Sequence, residues 1–173
     1  MAVVTPGVAQ FLSRAPTPLG AVLEVGSYNV NGSAREALKH ASWFGTDLRS
    51  GPCVDFVCDA IDLPRYFNRC FDAVVCVETL EHCADWRRTL LAMTSCVRAS
   101  GMVLLTTPAP GFPRHDYPND YWRFTKADWL RIIGSCSLLR AEEWLGATGD
   151  PHSGVMFTFD GTIFTDLSVA VVA

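Results

Sequence analysis

The sequence has 173 residues, 49% of them hydrophobic and 18% charged, with 14 basic against 18 acidic residues and a formal net charge of −4. That balance describes one folded domain with a sizeable core and excludes a disordered chain. Lys39 and Lys126 are the only lysines and the arginines are scattered, which excludes a general nucleic-acid grip or a polybasic membrane patch.

The first 19 residues read as an N-terminal extension without the basic start and long apolar run of a signal peptide. Ala21–Val25 is a short apolar strand, followed by a Gly/Asn-rich turn from Gly26 to Gly32. Ser33 with Glu36 forms a capping box for a helix over Ala34–Ala41. Trp43–Asp47 and Val54–Cys58 are strands, the first ending on an acid and the second followed by Asp59. Phe71–Val77 is a nearly continuous apolar run, as a strand buried on both faces requires. Asp85 caps a helix whose apolar positions Trp86, Leu90, Met93 and Val97 share one face, and Gly101 is read as its stop. Met102–Thr106 is the next strand.

Residues 108–124 change character, with Pro108, Pro110, Pro113 and Pro118 interleaved with Tyr117, Tyr121, Trp122 and Phe124. Such a loop serves as a lid or acceptor pocket, or it staples the next helix to the sheet with Arg123 paired to a nearby acid. Thr125 with Asp128 caps a helix over Lys126–Ile133, and Leu138–Leu145 and Val155–Phe159 are further strands. The apolar end, Thr162–Ala173, is too short to span a membrane and suits an edge strand or a dimer contact. Alternating strands and helices without a linker give a single doubly wound α/β domain with a mostly parallel sheet.

Seven cysteines, with no Cys-x-x-Cys and no zinc-finger histidine spacing, read as reduced, buried thiols of a cytoplasmic protein. His40 and His152 have no partner spacing, so no metal site is read.

The turn from Gly26 to Gly32 sits between the first strand and a helix start, where backbone N–H groups can meet an anion; a tight turn without a ligand is the other reading. Its middle position is Tyr28, so it is not a G-x-G-x-x-G fingerprint. Asp47, 21 residues past Gly26, suits a ribose hydroxyl pair, and Asp59-Ala60 suits an adenine edge; each acid can equally cap a turn.

Taken together, Leu23-Glu24-Val25-Gly26, Asp47, Cys58-Asp59-Ala60, Phe71-Asp72-Ala73-Val74 and Glu78-Thr79-Leu80-Glu81-His82 resemble the class I S-adenosylmethionine-dependent methyltransferases, most closely the type 11 methyltransferase-domain group. The resemblance covers residues 20–107 and extends to His115–Thr125. It implies a Rossmann-like, seven-stranded sheet with helices on both faces, a cofactor-binding half over 20–107, an aromatic loop over 108–124 and a C-terminal half over 125–173. The cofactor is then S-adenosyl-L-methionine. The residues implied to hold it are Glu24, Gly26, Ser27, Tyr28, Asn31, Gly32, Asp47, Leu48, Asp59, Ala60, Glu78, Thr79 and Leu80. His82 and His115 are candidate general bases, each with a structural alternative. His115, Tyr117, Tyr121 and Trp122 are the candidate acceptor-binding residues.

The expected reaction moves a methyl group to a small-molecule acceptor by in-line displacement. The alternatives are a non-catalytic adenosyl-binding or partner subunit, and a nucleotide-dependent oxidoreductase. The expected partners are the acceptor and a second protomer or subunit on the C-terminal apolar segment, with no general nucleic-acid binding and no membrane.

Overall fold

The computed structural model describes residues 2–115, 119–134, 137–145 and 151–160. In chain order its elements are β1 (Ala2–Val3), α1 (Pro6–Leu12), β2 (Ala21–Val25), β3 (Asn29–Asn31), α2 (Ala34–Ala37), β4 (Ser42–Asp47), β5 (Phe56–Val57), β6 (Phe71–Val77), α3 (Trp86–Ser95), β7 (Val97–Pro108), α4 (Lys126–Ile133), β8 (Ser137–Leu145) and β9 (Pro151–Thr158). Two 3-10 turns, Ala60–Arg65 and Leu80–His82, follow β5 and β6.

Seven strands form one sheet in the order β5-β4-β2-β6-β7-β9-β8. Strands β5, β4, β2, β6 and β7 pair in parallel, and β9 runs antiparallel to both of its neighbours. Chain order reverses at β2, which lies between β4 and β6, and this reversal opens a crevice at the carboxyl ends of those strands.

The alternation of side chains along β6 explains why its sequence is apolar almost throughout. Val74 and Cys76 face a core with Trp86, Leu90 and Met93 of α3 and Trp129 of α4, while Ala73, Val75 and Val77 face Val8, Phe11 and Leu12 of α1. The N-terminal extension thus supplies Val8, Phe11, Leu12, Ala15 and Leu19 to that core. Thr5 caps α1 by accepting from Val8 N, and Pro6 opens it, both ordinary helix-start signals.

Several expected boundaries move. The helix after Ser33 ends at Ala37, because Leu38 leaves helical geometry at φ −112° and ψ 70°. Ser33 caps that helix by accepting from Arg35 N, one position earlier than a capping box places the bond. The strand over Val54–Cys58 contracts to Phe56–Val57, since the Asp55 carboxylate accepts from Gly45 N and replaces a ladder bond.

Gly101 does not stop α3, which ends at Ser95; the chain is already in β7 at Val97. Gly101 lies at an irregularity in β6–β7 pairing, where a Cβ would stand 2.5 Å from Val97 Cγ1 and 2.6 Å from Asp72 O. The glycine permits close strand approach there. The Gly26–Gly32 turn contains β3, which pairs with β1 in a separate two-stranded sheet.

At α4 the sequence signals hold in full. Thr125 and Asp128 form the capping box, and Phe124 stacks on Trp129 with centroids 4.5 Å apart, a hydrophobic staple. The expected contact role of Thr162–Ala173 lies outside the described residues.

Candidate active site

A cleft of about 460 Å³ opens at the carboxyl ends of β2, β4, β5 and β6. Val25 and Gly26 line it from β2, Thr46 and Asp47 from β4, Cys58, Asp59 and Ala60 after β5, and Thr79, His82 and Cys83 after β6. Tyr28, Leu48 and Arg49 complete the wall.

The β2 end is held to β4 by two backbone bonds, from Gly26 N and Ser27 N to Thr46 O at 2.9 and 3.0 Å. Gly26 has φ +75°, a conformation a residue without Cβ adopts at little cost. The Asp47 carboxylate accepts from Tyr28 N and Arg49 N, both at 3.2 Å, so it pins the loops on either side of the cleft. Asp59 accepts from Ile61 N at 3.1 Å and caps the first 3-10 turn. Both strand-end acids therefore cap their turns while facing the cleft.

Tyr28, the departure from a glycine-rich turn, has a compensating partner. Its ring occupies the space above Gly51, where a Cβ would stand 1.8 Å from Tyr28 Cε2, and Arg49 lies 5.9 Å from the ring centroid. The aromatic side chain forms a wall of the cleft without filling it.

Of the residues the resemblance implied for cofactor, Gly26, Tyr28, Asp47, Leu48, Asp59, Ala60 and Thr79 line the cleft. Glu24 does not: it is buried and bound to Arg35 Nε at 2.7 Å, and burial raises its pKa against the opposing effect of Arg35. Ser27 is buried behind the β2 turn, and Leu80 is in the hydrophobic core. Gly32 has φ +114° and its N–H donates to Asn29 Oδ1, away from the cleft lining. Asn31 belongs to β3, and its side chain lies outside the described residues. Glu78 turns toward His152, with Oε2 3.5 Å from Nε2, and burial pushes its carboxyl up to about 8.

Thr46 and Cys58 were missed as lining residues although each immediately precedes a strand-end acid. Arg49 and Cys83 carried no such signal. The Cys83 thiol is pushed up to about 12 by burial, so it offers no thiolate at neutral pH.

One end of the cleft meets the aromatic loop. Tyr121 N donates to Glu81 O at 2.9 Å, and Trp122 Nε1 donates to Cys83 O at 2.8 Å. Arg123 forms a buried bidentate pair with Asp120 and also donates to Trp122 O and Pro113 O. Burial alone would raise the Asp120 carboxyl, but Arg123 and the His115 N–H outweigh it and hold it below its ordinary value. His82 and His115 stand side by side, ring centroids 5.0 Å apart, next to Glu81. Burial lowers the His82 pKa. Burial first, and then Glu78, drive the Glu81 carboxyl well above the ordinary carboxylate range. Tyr117 lies outside the described residues.

A family model described as a methyltransferase domain matches residues 7–147. No curated protein matches. Among solved structures, the chain is similar to the Burkholderia thailandensis 1,6-didemethyltoxoflavin-N1-methyltransferase with bound 1,6-didemethyltoxoflavin and S-adenosylhomocysteine, at TM-score 0.66 and 15% identity over 84% of this chain and 71% of that one. It is similar to a SAM-dependent methyltransferase from Aquifex aeolicus, at TM-score 0.63 and 10% identity over 90% of both chains. It is also similar to the [4+2]-cyclase SpnF, at TM-score 0.62 and 14% identity over 88% of this chain and 80% of that one. At these identities the structural likeness is one of fold, whereas the family model spans most of the chain. The chain belongs to the methyltransferase-domain family, within the class I S-adenosylmethionine-dependent methyltransferases.

Proposed function

We propose that this protein transfers a methyl group from S-adenosylmethionine to a small-molecule acceptor presented from the aromatic-loop end of the cleft. The observation that carries the reading is the convergence of Gly26, Asp47, Asp59 and Thr79, from four strand ends, on one cleft of a size suited to a small ligand.

The residues present fit the cofactor. Asp47 offers a carboxylate to a ribose diol, Asp59 offers an acceptor to an exocyclic amine, and the Gly26 turn lets backbone approach the methionine end. Leu48, Ala60 and Val25 supply apolar walls for a purine ring. When bound, S-adenosylmethionine supplies a methyl group on a sulfonium. The chain's task is then alignment, which contributes roughly 7–11 kcal/mol where the geometry is good. His82 Nε2 makes no hydrogen bond among the described residues, and burial keeps its imidazole neutral. With His115 it is the candidate for taking a proton from a hydroxyl or ammonium acceptor.

The family match favours transfer over a dinucleotide-dependent oxidoreductase. Among the described residues no helix is long and apolar enough to cross a membrane. Cys53, Cys58, Cys70, Cys76, Cys83 and Cys96 are free thiols, which supports a reducing, cytoplasmic setting.

The test is calorimetric titration of S-adenosylmethionine, S-adenosylhomocysteine and NAD against the purified protein. The adenosyl ligands bind and NAD does not; tight binding of NAD alone overturns the reading. Adenosyl binding without methyl transfer to any of a panel of small acceptors turns it to the non-catalytic alternative. Asp47→Ala lowers adenosyl affinity about 10- to 100-fold, the value of losing hydrogen bonds to a charged group.

A further inference from the structure

Glu81 is fully buried, yet neither of its carboxylate oxygens accepts a hydrogen bond among the described residues. An orphaned buried carboxylate is costly and calls for a partner. Two imidazole nitrogens stand where a partner's other ligands would be: His82 Nε2 lies 3.5 Å and His115 Nε2 3.9 Å from Glu81 Oε1. The donor atoms of the three residues all fall within 4.8 Å of one another.

We infer that Glu81, His82 and His115 form a binding site for a divalent first-row transition metal ion at the loop end of the cleft. Donors about 2.0–2.2 Å from a common ion stand about 3.0–3.5 Å apart, so the Glu81–His82 pair already fits, while His115 has to close by about half an ångström on Glu81 Oε1 and to approach His82, whose donor lies within 4.8 Å of its own. His115 belongs to the loop, and its side chain is 38% exposed, so that adjustment displaces no core packing.

The surroundings orient the His82 imidazole for this task. His82 Nδ1 is 2.5 Å from Asn119 O, and His115 Nδ1 is 3.1 Å from Asp120 Oδ2. The bond at His82 Nδ1 favours the tautomer that leaves Nε2 as a lone-pair donor, whereas His115 Nδ1 makes no hydrogen bond among the described residues and its ring is free to present Nε2. Asp120 is in turn fixed by Arg123. A set of two imidazoles and one carboxylate suits zinc, iron, cobalt, nickel or manganese better than the all-oxygen preference of magnesium or calcium. Three protein donors leave coordination positions open, as in metal sites that bind water or substrate.

Since His82 also lines the cleft, the site adjoins it. On the methyl-transfer reading the open positions would receive a hydroxyl oxygen of the acceptor, and the ion would lower its pKa so that the proton leaves to solvent water, with the histidines holding the ion instead of removing the proton themselves. That last step rests on the proposed function; the metal site does not.

The test uses the full chain, stripped with chelator and desalted. Zinc is titrated by calorimetry and cobalt(II) by visible absorption, while S-adenosylhomocysteine is titrated separately, so failure of one reading leaves the other standing. One equivalent of metal binds, with cobalt d–d bands and no sulfur-to-cobalt charge-transfer band. His115→Ala and the near-isosteric Glu81→Gln each weaken binding at least tenfold. His115→Ala retains the far-ultraviolet circular dichroism of the parent, which keeps the test valid should Glu81→Gln misfold. Absence of stoichiometric binding, a thiolate charge-transfer band, or unchanged affinity in folded His115→Ala overturns the inference.

Discussion

Thr79 Oγ1 occupies the space that a side chain on Gly26 would need: a Cβ at position 26 would stand 2.1 Å from it. Thr79 is itself pinned, its hydroxyl donating to Val77 O at 2.9 Å. The ends of β2 and β6 therefore meet at the floor of the cleft with no room for a methyl group. Gly26→Ala adds the left-handed strain of a residue with Cβ, about 1–2 kcal/mol, to an overpacking cost of roughly 1–3 kcal/mol. Urea unfolding is expected to show a loss of about 2–5 kcal/mol with unchanged m-value, together with loss of S-adenosylhomocysteine binding. The double variant Gly26→Ala/Thr79→Ser, which removes the Thr79 methyl but not its hydroxyl, recovers only part of the stability.

Gly51 and Tyr28 are coupled in a different way. Gly51→Ala has to displace the Tyr28 ring, which lines the cleft. Since Gly51 is not among the residues with positive φ, the backbone itself accepts alanine there. The expected effect is a several-fold loss of S-adenosylhomocysteine affinity with little change in overall stability. In the Tyr28→Ala background the same substitution becomes nearly silent, and a double-mutant cycle measures the coupling. Equal effects in both backgrounds would show that the ring is not the intermediary.

The parallel half of the sheet was legible because its strands are apolar in runs or end on acids: β2, β4 and β6 lie where Ala21–Val25, Trp43–Asp47 and Phe71–Val77 placed them, β4 starting one residue earlier. Thr125, Asp128 and Phe124 announced α4 through local capping chemistry, which needs no tertiary knowledge. Helix α1 was not assigned, since its seven residues give barely two turns of periodicity and their burial depends on a sheet far along the chain. At the site, strand-end positions translated directly into cleft positions. Glu24 and Glu78 did not, because their side chains are taken by Arg35 and His152, distant partners that spacing does not reveal. The approach of Glu81, His82 and His115 joins a turn after β6 to a loop 33 residues on, again a product of folding.

Glu78 gives the protein a particular pH dependence. Burial holds its folded-state pKa at about 8, above the ordinary carboxylate value, so the unfolded chain loses this proton first as pH rises. Its contribution to stability is complete below the unfolded pKa and is lost as pH climbs toward about 8. Glu81 is shifted the same way and adds to the slope. His82 is shifted downward and acts oppositely, but below the ordinary histidine range, where the unfolded chain takes up the proton. Between about pH 6.5 and 8 the glutamates therefore dominate, at no more than about 1.4 kcal/mol per pH unit for each group. Denaturant midpoints measured in the presence of chelator are expected to fall across that window, and Glu78→Gln to flatten the decline. A midpoint that rises with pH there would contradict the assignment.

Arg123 is the residue on which the loop side of the site depends most. Its guanidinium is 7% exposed, holds both oxygens of Asp120, and reaches the carbonyls of Pro113 and Trp122. Removing it leaves the Asp120 charge buried beside His115, a situation that costs roughly 3–5 kcal/mol when one partner of a buried pair is deleted. Arg123→Ala is expected to unfold at markedly lower urea concentration. Arg123→Lys keeps the charge but loses the planar two-point contact and recovers only part of the loss. The same loop carries His115, Tyr121 and Trp122, which are not among the residues lining the cleft but pack against the Glu81–Cys83 turn at its edge, where the proposed function places the acceptor. On the proposed function, substitution at Arg123 should therefore impair acceptor turnover more than S-adenosylhomocysteine binding, which that reading assigns to the strand ends. Measuring both in the lysine variant separates a disordered loop from a general loss of fold: equal losses in the two would indicate the latter.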